Sequence, residues 1–338
     1  MTELEQHLLN DYQHDFPLAP APFRKIAADL GTTEDEVFDM LKRLHRQGSV
    51  SRVGAVFRPH TIGASTLVAL AAPPDKLAAV AQQVSAYPEV NHNYEREHRY
   101  NLWFVVTAPD SAQLEASLRR IEAETGYSLL VLPMIEDFHI DLGFDLRQKV
   151  SGVPGAARGG HRCKAPARPV DAGYRPHPAE AALIAAIQDG IPLVSHPWAE
   201  LGAHAGMSEA EVISSLAQLL AQGIIRRLGV VVRHHELGYR ANAMVVWDIP
   251  DETVSNAGQC LGQFDCVTLC YRRPRRLPDW RYNLFTMIHG RDRDEVLGLV
   301  EQLRAACKLQ HIPHEVLFSC RRFKQCGARY TEPAATPA

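Results

Sequence analysis

Apolar side chains recur at i, i+3, i+4 and i+7 over residues 37–44, and a similar helical spacing returns over 212–220. Such spacing puts the apolar residues on one face of a helix. Thr33 and Ser208 stand just before the two patterns, and hydroxyl side chains of this kind cap helix N-termini. The pattern therefore predicts two amphipathic helices, each with one buried face.

Shorter elements are predicted around each of these helices. A further helix is expected before each one, at 22–30 and at 198–205. A glycine follows each long helix, and the β-rich runs SVSRVGAVF and IIRRLGVVV come next, which suit a two-stranded wing in each half. Two helices followed by a wing form a winged helix-turn-helix.

The remainder of each half alternates between strands and helices. In the first half the spacing predicts a strand at 64–72, a helix at 74–86, strands at 89–95 and 100–108, a helix at 110–124 and a strand at 128–140. The same order returns at 239–248, 250–262, 264–271, 282–289, 292–305 and 309–318. This order, βαββαβ, is ferredoxin-like. The predicted fold class is therefore α+β, a tandem duplication of a winged helix-turn-helix and a ferredoxin-like module.

The residues themselves show the duplication, at an offset of 175 that lengthens where the second copy has extra residues. Matched pairs include Gly31 with Gly206, Arg52 with Arg227, Tyr94 with Tyr271, Arg96 with Arg273, and Tyr100-Asn101 with Tyr282-Asn283. Between the halves, a stretch rich in Gly, Pro, Ala and Arg without apolar periodicity predicts a flexible linker. The predicted domains are winged helices at 1–62 and 177–238, ferredoxin-like domains at 63–148 and 239–330, the linker at 149–176 and a tail at 331–338.

Composition narrows the class of protein. The chain has 338 residues, with 36 Lys and Arg against 39 Asp and Glu, which excludes disordered and fibrous classes. It contains neither a long apolar run nor an apolar N-terminal segment, so we expect a cytoplasmic protein without membrane contact. The cysteines number seven, and all but Cys163 lie beyond residue 250. We expect reduced thiols, because their spacing matches neither a disulfide framework nor a zinc site.

The winged helices invite comparison with the Lrp/AsnC transcription regulators, which join the same two kinds of domain. A recognition helix needs basic or amide side chains near its N-terminus. Here these positions read TTEDEVFD and MSEAEVIS, and such carboxylates would be repelled by DNA phosphates. We therefore expect no nucleic-acid partner and a scaffold that packs and dimerises, although a DNA-binding regulator stays open.

The segment HNYEREHRYN is the densest group of polar residues in the chain. Side chains alternate along a strand, so His92, Tyr94 and Arg96 share one face, with His98 near the turn. Arg96 and Arg99 carry the planar groups that bind carboxylates or phosphates, and the histidines can transfer protons near neutral pH. The segment predicts a site for an anionic ligand, with a solvated hairpin as the alternative.

The second copy of this segment, CYRRPRRLPDWRYN, keeps the arginines and loses the histidines. Leu269 stands in the place of His92, and Trp280 in the place of His98. Five arginines in ten residues suggest a polyanion clamp or a solvated basic loop: Arg272, Arg273, Arg275, Arg276 and Arg281. His235, in the run RHHELGYR, is a further candidate ligand for iron or substrate.

These long segments resemble the siroheme decarboxylases of the NirD/NirL and AhbA/AhbB type. The first half is similar to the NirD type and the second to the NirL type, so the chain resembles a natural fusion of two subunits. The resemblance implies removal of carbon dioxide from two acetate side chains of siroheme, giving 12,18-didecarboxysiroheme in heme d1 or alternative heme biosynthesis. It also implies that the two halves pair, that a homodimer is possible, and that no cofactor is needed beyond the substrate's own iron.

On this resemblance the first half carries the chemistry, with His92 and His98 as catalytic residues. His98 or His235 is a candidate axial ligand to the substrate's iron. The expected substrate-binding residues are Tyr94, Arg96, Arg99, Asn101, His235, Arg272, Arg273, Trp280, Arg281 and Asn283. A non-catalytic heme-binding sensor is the remaining alternative.

Overall fold

The structure is a computed structural model that describes residues 2–58, 61–140, 174, 176–232, 241–328 and 330. The predicted tail at 331–338 and His235 lie outside these residues, as does the predicted linker at 149–176 except for residues 174 and 176. The predicted boundaries at residues 148 and 238 also lie outside them, and the domain limits stay predictions. Among the described residues, no helix combines the length and the apolar character that a membrane crossing requires.

Eleven strands and ten helices are seen in the described residues. The first half contains α1 (Glu3–Asp11), α2 (Pro22–Leu30), α3 (Glu34–Arg46), β1 (Val50–Phe57), β2 (Ala64–Leu70), α4 (Leu77–Ala86), β3 (Val90–Arg96), β4 (Leu102–Ala108), α5 (Ser111–Thr125), β5 (Leu130–Pro133) and β6 (Glu136–Ile140). The second half contains α6 (Pro178–Ile187), α7 (Pro197–Ala205), α8 (Glu209–Ala221), β7 (Ile225–Val232), β8 (Ala241–Trp247), α9 (Val254–Leu261), β9 (Val267–Arg272), β10 (Leu284–Gly290), α10 (Arg293–Ala306) and β11 (His314–Gln325). The sequence pattern predicted neither α1 nor α6.

The two long amphipathic helices begin where their caps predict. The Thr33 hydroxyl accepts the backbone N–H of Glu36, and the Glu36 carboxylate accepts the backbone N–H of Thr33 in return. Ser208 and Glu211 form the same capping box at α8. Because each box satisfies N–H groups that lack a partner inside the helix, it fixes the first turn. The acidic residues at these two helix starts therefore have a structural use.

The prediction of a two-stranded wing in each half is wrong. Each half has one strand after its long helix, and β1 pairs antiparallel with β7 across the halves, with Gly54 opposite Gly229. A Cβ at Gly229 would lie 2.3 Å from the Tyr12 carbonyl oxygen, so a glycine is needed where the chains approach. The two winged helices thus share a ribbon and one apolar core, which includes Phe23 and Trp198.

One nine-stranded sheet joins the two ferredoxin-like domains, in the order β5-β2-β4-β3-β11-β8-β10-β9-β6. The predicted strand at 128–140 divides into β5 and β6, and β6 leaves its own domain to pair with β9. The strand predicted at 309–318 extends to Gln325, and its second part pairs with β3. Each half therefore supplies the edge strand of the other half, and the expected pairing of the halves is confirmed.

The sheet curves back on itself. Its two end strands, β5 and β6, are separated in the chain by only two residues, so the ends of the sheet must lie close together. The outer face is covered by α4 and α5 in the first half and by α9 and α10 in the second. The inner face holds an apolar cluster drawn from both halves, which includes Trp103, Trp280 and Leu317.

The expectation of reduced thiols is wrong for Cys260 and Cys307, which form a disulfide. The two cysteines are 47 residues apart in sequence, and the packing of α9 and α10 on one face of the sheet brings their Cα atoms to 5.9 Å. Sequence spacing carries no information about that contact. Four other described cysteines are free: Cys266, Cys270, Cys320 and Cys326.

Candidate active site

Three polar side chains of β3 project from the inner face of the sheet. The rings of His92 and Tyr94 stack with centroids 6.4 Å apart, and the Arg96 guanidinium lies 5.8 Å from the Tyr94 ring. Asn93 points the other way, and its amide donates to the Ala81 carbonyl on α4. The alternation along β3 therefore turns His92, Tyr94 and Arg96 away from the helices, as the sequence pattern predicts.

His92 uses one ring nitrogen in a hydrogen bond within the chain. Its Nδ1 lies 2.6 Å from Oδ1 of Asn91, whose amide group donates to the Thr107 hydroxyl. The Asn91 oxygen is thus an acceptor, so Nδ1 of His92 carries the proton and Nε2 presents a lone pair. Burial, together with the charge of Arg52, lowers the pKa of His92 to about 4. His92 is therefore neutral at neutral pH.

His98 lies in the turn after β3, where it meets the second half. Its Nε2 is 3.1 Å from a carboxylate oxygen of Glu315 on β11, and the Tyr282 hydroxyl donates to the other oxygen of that carboxylate. The ring also stacks on Tyr100, at 5.9 Å, and meets the edge of Trp280, at 5.5 Å. Residues of both halves therefore form this group.

The hydrogen bonds of His98 select its neutral form. The backbone N–H of Tyr100 donates to Nδ1 at 2.9 Å, so Nδ1 has no proton and Nε2–H faces Glu315. Burial lowers the pKa of His98, and the carboxylate of Glu315 acts in the opposite direction. Burial also raises the pKa of Tyr282, with a further contribution from Glu315.

The structure does not bring His92 and His98 together. Arg96 is four residues along β3 from His92, about 13 Å at roughly 3.3 Å per residue, and His98 lies beyond that. His92 is opposite Gln325 of β11, whereas His98 contacts Glu315. Among the described residues, no contact joins the two rings. A mechanism in which both act on one acetate therefore requires a substrate that spans this distance.

Arg96 and Arg273 are buried, at 6% and 7% exposure, and each donates to a carbonyl of the opposite half. The acceptor is Leu317 for Arg96 and Leu132 for Arg273. Burial lowers the pKa of Arg96 to about 10 and lowers that of Arg273 as well. Neither has a carboxylate within 4 Å in the described ranges, and Tyr271 is close to both. Such uncompensated buried charge is costly, which favours an anionic partner.

Three of the five arginines of the second hairpin form ion pairs with two aspartates. Arg275 and Arg281 pair with Asp248, the latter at 2.5 Å. Arg272 lies 3.6 Å from Asp251, which also approaches Arg275 at the same distance. A substrate carboxylate would have to compete with these aspartates. Of the predicted polyanion clamp, three arginines are thus in ion pairs in this structure, and the other two, Arg273 and Arg276, donate to backbone carbonyls.

Trp280 and Arg99 contact protein groups rather than open space. Trp280 is 1% exposed and packs against Trp103, with centroids 5.3 Å apart, inside the inner cluster. The Arg99 guanidinium donates to the Asp279 carbonyl and lies 4.9 Å from the Tyr100 ring. Where the first hairpin has His98, the second therefore has an apolar ring that fills the core.

Asn101 and Asn283 occupy matching positions and bind backbone. The Asn101 amide donates to the carbonyl of Ala72 and its oxygen accepts the N–H of the same residue. Asn283 makes the same two bonds to Ile249. Each asparagine fixes the chain just after a strand, and it contributes to the site by shaping the hairpin.

Three residues near the site were not predicted from sequence. Arg52 comes from the first winged helix, Glu315 from β11, and His289 from β10, where it is 9% exposed and hydrogen-bonded to Thr268. Burial, with the charge of Arg96, lowers the pKa of His289 to about 4. The sequence signal that could have indicated these three residues is weak, since each is a polar residue next to apolar residues of its strand. Within the described ranges, no group of three His, Cys, Asp or Glu residues could hold a metal ion.

Two family models match the chain. One is the AsnC-like ligand binding domain, at residues 61–139 and 236–324. The other is the siroheme decarboxylase NirDL-like HTH domain, at residues 5–50 and 180–226. Each model matches once in each half, which agrees with the internal duplication.

Known proteins resemble the whole chain. The siroheme decarboxylase NirDL subunit of Paracoccus denitrificans is 46% identical over 99% of both chains. The siroheme decarboxylase of Hydrogenobacter thermophilus is 32% identical over 96% of this chain and 93% of its own. A crystal structure of the siroheme decarboxylase NirDL in complex with an iron-uroporphyrin III analogue is 27% identical and superposes with a TM-score of 0.67, covering 98% of this chain and 95% of that one. On this identity over its full length, the chain belongs to the siroheme decarboxylase family, in its fused NirDL form.

Proposed function

We propose that this chain removes carbon dioxide from two acetate side chains of siroheme to give 12,18-didecarboxysiroheme for heme d1 biosynthesis, with His92 as the proton donor. The observation that supports this assignment is the difference in hydrogen bonding between the two histidine rings. His92 keeps its Nδ1–H bond to Asn91 whether Nε2 is protonated or not. His98 would lose its bond from the Tyr100 N–H on becoming charged. Of these two histidines, His92 is the one that can gain and lose a proton without breaking the hydrogen bond described for it.

The buried arginines bind substrate carboxylates in this proposal. Arg96 and Arg273 each have a buried Nε without a hydrogen-bond partner among the described residues. Siroheme carries several carboxylates, and a guanidinium in a low-dielectric site binds them strongly. The substrate's negative charge would offset the two positive charges that the fold buries.

His98 acts as a neutral hydrogen-bond donor. Its Nε2–H faces Glu315, whose side chain is 46% exposed and can move outward. A substrate carboxylate then takes the place of Glu315 at Nε2. His98 thereby orients the macrocycle while His92, further along β3, faces a reacting side chain.

The chemical step needs one proton for each acetate. The bond between the methylene carbon and the carboxylate carbon breaks, and its electron pair stays on the methylene carbon as carbon dioxide leaves. Substrate carboxylates beside the ring favour protonation of Nε2 of His92. The protonated ring then gives this proton to the methylene carbon, and a methyl group results. His92 then regains a proton from water. The iron in this scheme is the substrate's own.

The decisive experiment is mass spectrometry of siroheme after anaerobic incubation with the full chain. We expect the mass to fall by two carbon dioxide units. Unchanged siroheme that stays bound would favour a non-catalytic heme-binding sensor, and it would overturn the proposal. Affinity for duplex DNA, measured in parallel at two salt concentrations, would separate a regulator from an enzyme. Cytoplasmic location, lack of a nucleic-acid partner and homodimer formation stay predictions.

A further inference from the structure

A polar cavity lies where three separate parts of the chain meet. It has a volume of about 170 Å³ and is lined by Arg52 on β1, Gln188 and Asp189 after α6, Gln325 on β11 and Gly327 just beyond it. These segments belong to the first winged helix, the second winged helix and the shared sheet. The cavity therefore exists only when both halves are assembled.

Arg52 is the cation of this cavity, and its side chain makes one hydrogen bond among the described residues. Its Nη2 donates to the Ala55 carbonyl at 3.1 Å. Its Nε is buried and has no hydrogen-bond partner in the described part of the chain. Gly54 and Gly327 let the backbone approach the guanidinium closely, because a Cβ there would lie only 3.3 Å and 3.1 Å from its nitrogens. Room for a partner comes from the cavity that Arg52 lines.

His92 is the neighbour of this cavity on the sheet. It pairs with Gln325, a lining residue, in the ladder between β3 and β11. The charge of Arg52 also acts on its ring. Since Nδ1 of His92 bonds to Asn91, the nitrogen that remains for a ligand is Nε2. A guanidinium whose Nε has no partner among the described residues thus lies near a ring nitrogen that can take up a proton.

We infer that this cavity is a subsite for one carboxylate side chain of the tetrapyrrole, with Arg52 as its ionic partner and His92 beside it. The inference rests on the proposed function. Pockets that enclose a whole small-molecule ligand have about 300–1,000 Å³, so a cavity of about 170 Å³ holds a side chain and leaves the macrocycle outside. The winged helix, in this view, contributes directly to substrate binding.

The charges of the subsite link binding to proton uptake. Asp189 opposes the effect of burial on the pKa of Arg52, although Arg52 has no ion pair within 4 Å in the described residues. A bound carboxylate places a negative charge beside His92, which favours the protonated form of the ring. Binding of the carboxylate thus supplies His92 with the proton that the reaction consumes.

The test compares Arg52→Gln with Arg227→Gln in the full chain. Arg227 is the matching residue of the second half, is 5% exposed, and donates to the Gln13 carbonyl at 3.3 Å. Loss of one charge-assisted contact should weaken siroheme binding about tenfold to a hundredfold in Arg52→Gln, measured by absorbance titration. Arg227→Gln should bind almost as the wild type does, and Arg52→Lys should recover part of the affinity.

A second measurement does not depend on turnover. Propionate is added as a probe while the pKa of His92 is followed by NMR of labelled histidine. In the wild type we expect propionate to raise the pKa of His92 and to compete with siroheme. In Arg52→Gln we expect no propionate effect.

The outcomes separate this inference from the proposed function. Equal losses of affinity and thermal stability in Arg52→Gln and Arg227→Gln would overturn the subsite, because Arg52 would then be structural. The subsite would also be overturned if propionate still raised the pKa of His92 in Arg52→Gln. It would be overturned likewise if propionate bound without displacing siroheme, because the cavity would then be a site for a free small acid. Unchanged siroheme mass alongside the expected propionate response would overturn the decarboxylase proposal and leave the carboxylate site standing.

Discussion

The hairpin that begins with β3 and the hairpin that begins with β9 have the same residues at two of four aligned site positions and different residues at the other two. Both place a tyrosine under a buried arginine, and both arginines donate to a carbonyl of the opposite half. At the other two positions, His92 faces Leu269 in the alignment, and His98 faces Trp280. The shared residues hold the halves together and supply positive charge. The residues that differ separate a hairpin that can move protons from one that fills the core.

The largest effect should come from making the first hairpin lose its proton donor. His92→Gln is expected to slow decarboxylation by about 10² to 10⁴, the usual contribution of a positioned acid, while siroheme binds nearly as tightly as before. Single-turnover mass spectrometry and absorbance titration measure the two quantities. His204→Gln, on the exposed surface of α7, is the control. A wild-type rate for His92→Gln would move the chemistry to His98.

The shared arginines give the second prediction. Arg96→Met and Arg273→Met should each weaken siroheme binding about tenfold to a hundredfold, since each removes a buried charge that a carboxylate can partner. The thermal midpoint should stay level or rise, because replacing an uncompensated buried charge with an apolar chain of similar size is often neutral or stabilising.

Arg119→Met is the control for these two variants, because Arg119 is 72% exposed on α5. A loss of stability without a loss of affinity would show that the arginines only join the halves. An effect in Arg96→Met alone would mean that the substrate binds the first hairpin and leaves the second unoccupied.

The two histidines of the first hairpin should differ in which constant they change. His98→Gln removes a neutral donor, so siroheme affinity should fall about twofold to tenfold while the rate at saturation changes little. His92→Gln should do the reverse. The split between KM and kcat therefore distinguishes the two roles, and a shared kcat defect would contradict them. His196→Gln, at the exposed start of α7, serves as the control.

The smallest effect concerns stability in acid. The pKa of His92 is about 4 in the folded chain, below the ordinary value near 6.5, so the unfolded chain takes up a proton first as the pH falls. The stabilising contribution is present above about pH 6.5 and is lost as the pH falls through about 4. His92→Leu places the residue of the second hairpin at this position. As the pH falls over this range, the thermal midpoint of the variant should decrease less than that of the wild type. An identical decrease of the thermal midpoint in both proteins would show that His92 does not titrate in this way. Because the pKa of His289 is lowered in the same way, part of the decrease should remain in the variant.

Sequence reasoning succeeded where the information is local. Thr33 and Ser208 marked the helix starts because a cap depends only on the next three residues. Alternation gave the common face of His92, Tyr94 and Arg96 for the same reason. The order of strands and helices in each half followed from period and turn signals. The fold class was therefore predicted correctly, although α1 and α6 were missed.

It failed where one half meets the other. Nothing near Glu315 in sequence indicates that it lies against His98, because that contact depends on how β11 extends from β8 of its own half to β3 of the other half. Arg52 looked like part of a wing, and its place beside His92 follows from the same crossing. The roles assigned to His92 and His98 stay predictions. The two histidines differ in their hydrogen bonds, because His92 binds the Asn91 side chain and His98 accepts from the Tyr100 backbone N–H. A pattern of residue types does not predict these hydrogen bonds.

The exchange of edge strands also determines when each strand can pair while the polypeptide is being synthesised. β6 is complete once residue 140 has been made, but its partner β9 ends only at Arg272. At about 5 to 20 residues per second, β6 waits roughly 7 to 26 s on the ribosome for β9. The edge of β3 waits longer, because its partner β11 ends only at Gln325. Open edges of this kind invite pairing with other nascent chains. Because the partner strand arrives on the same polypeptide, fusion of the halves gives each waiting edge a local partner that no dilution can remove.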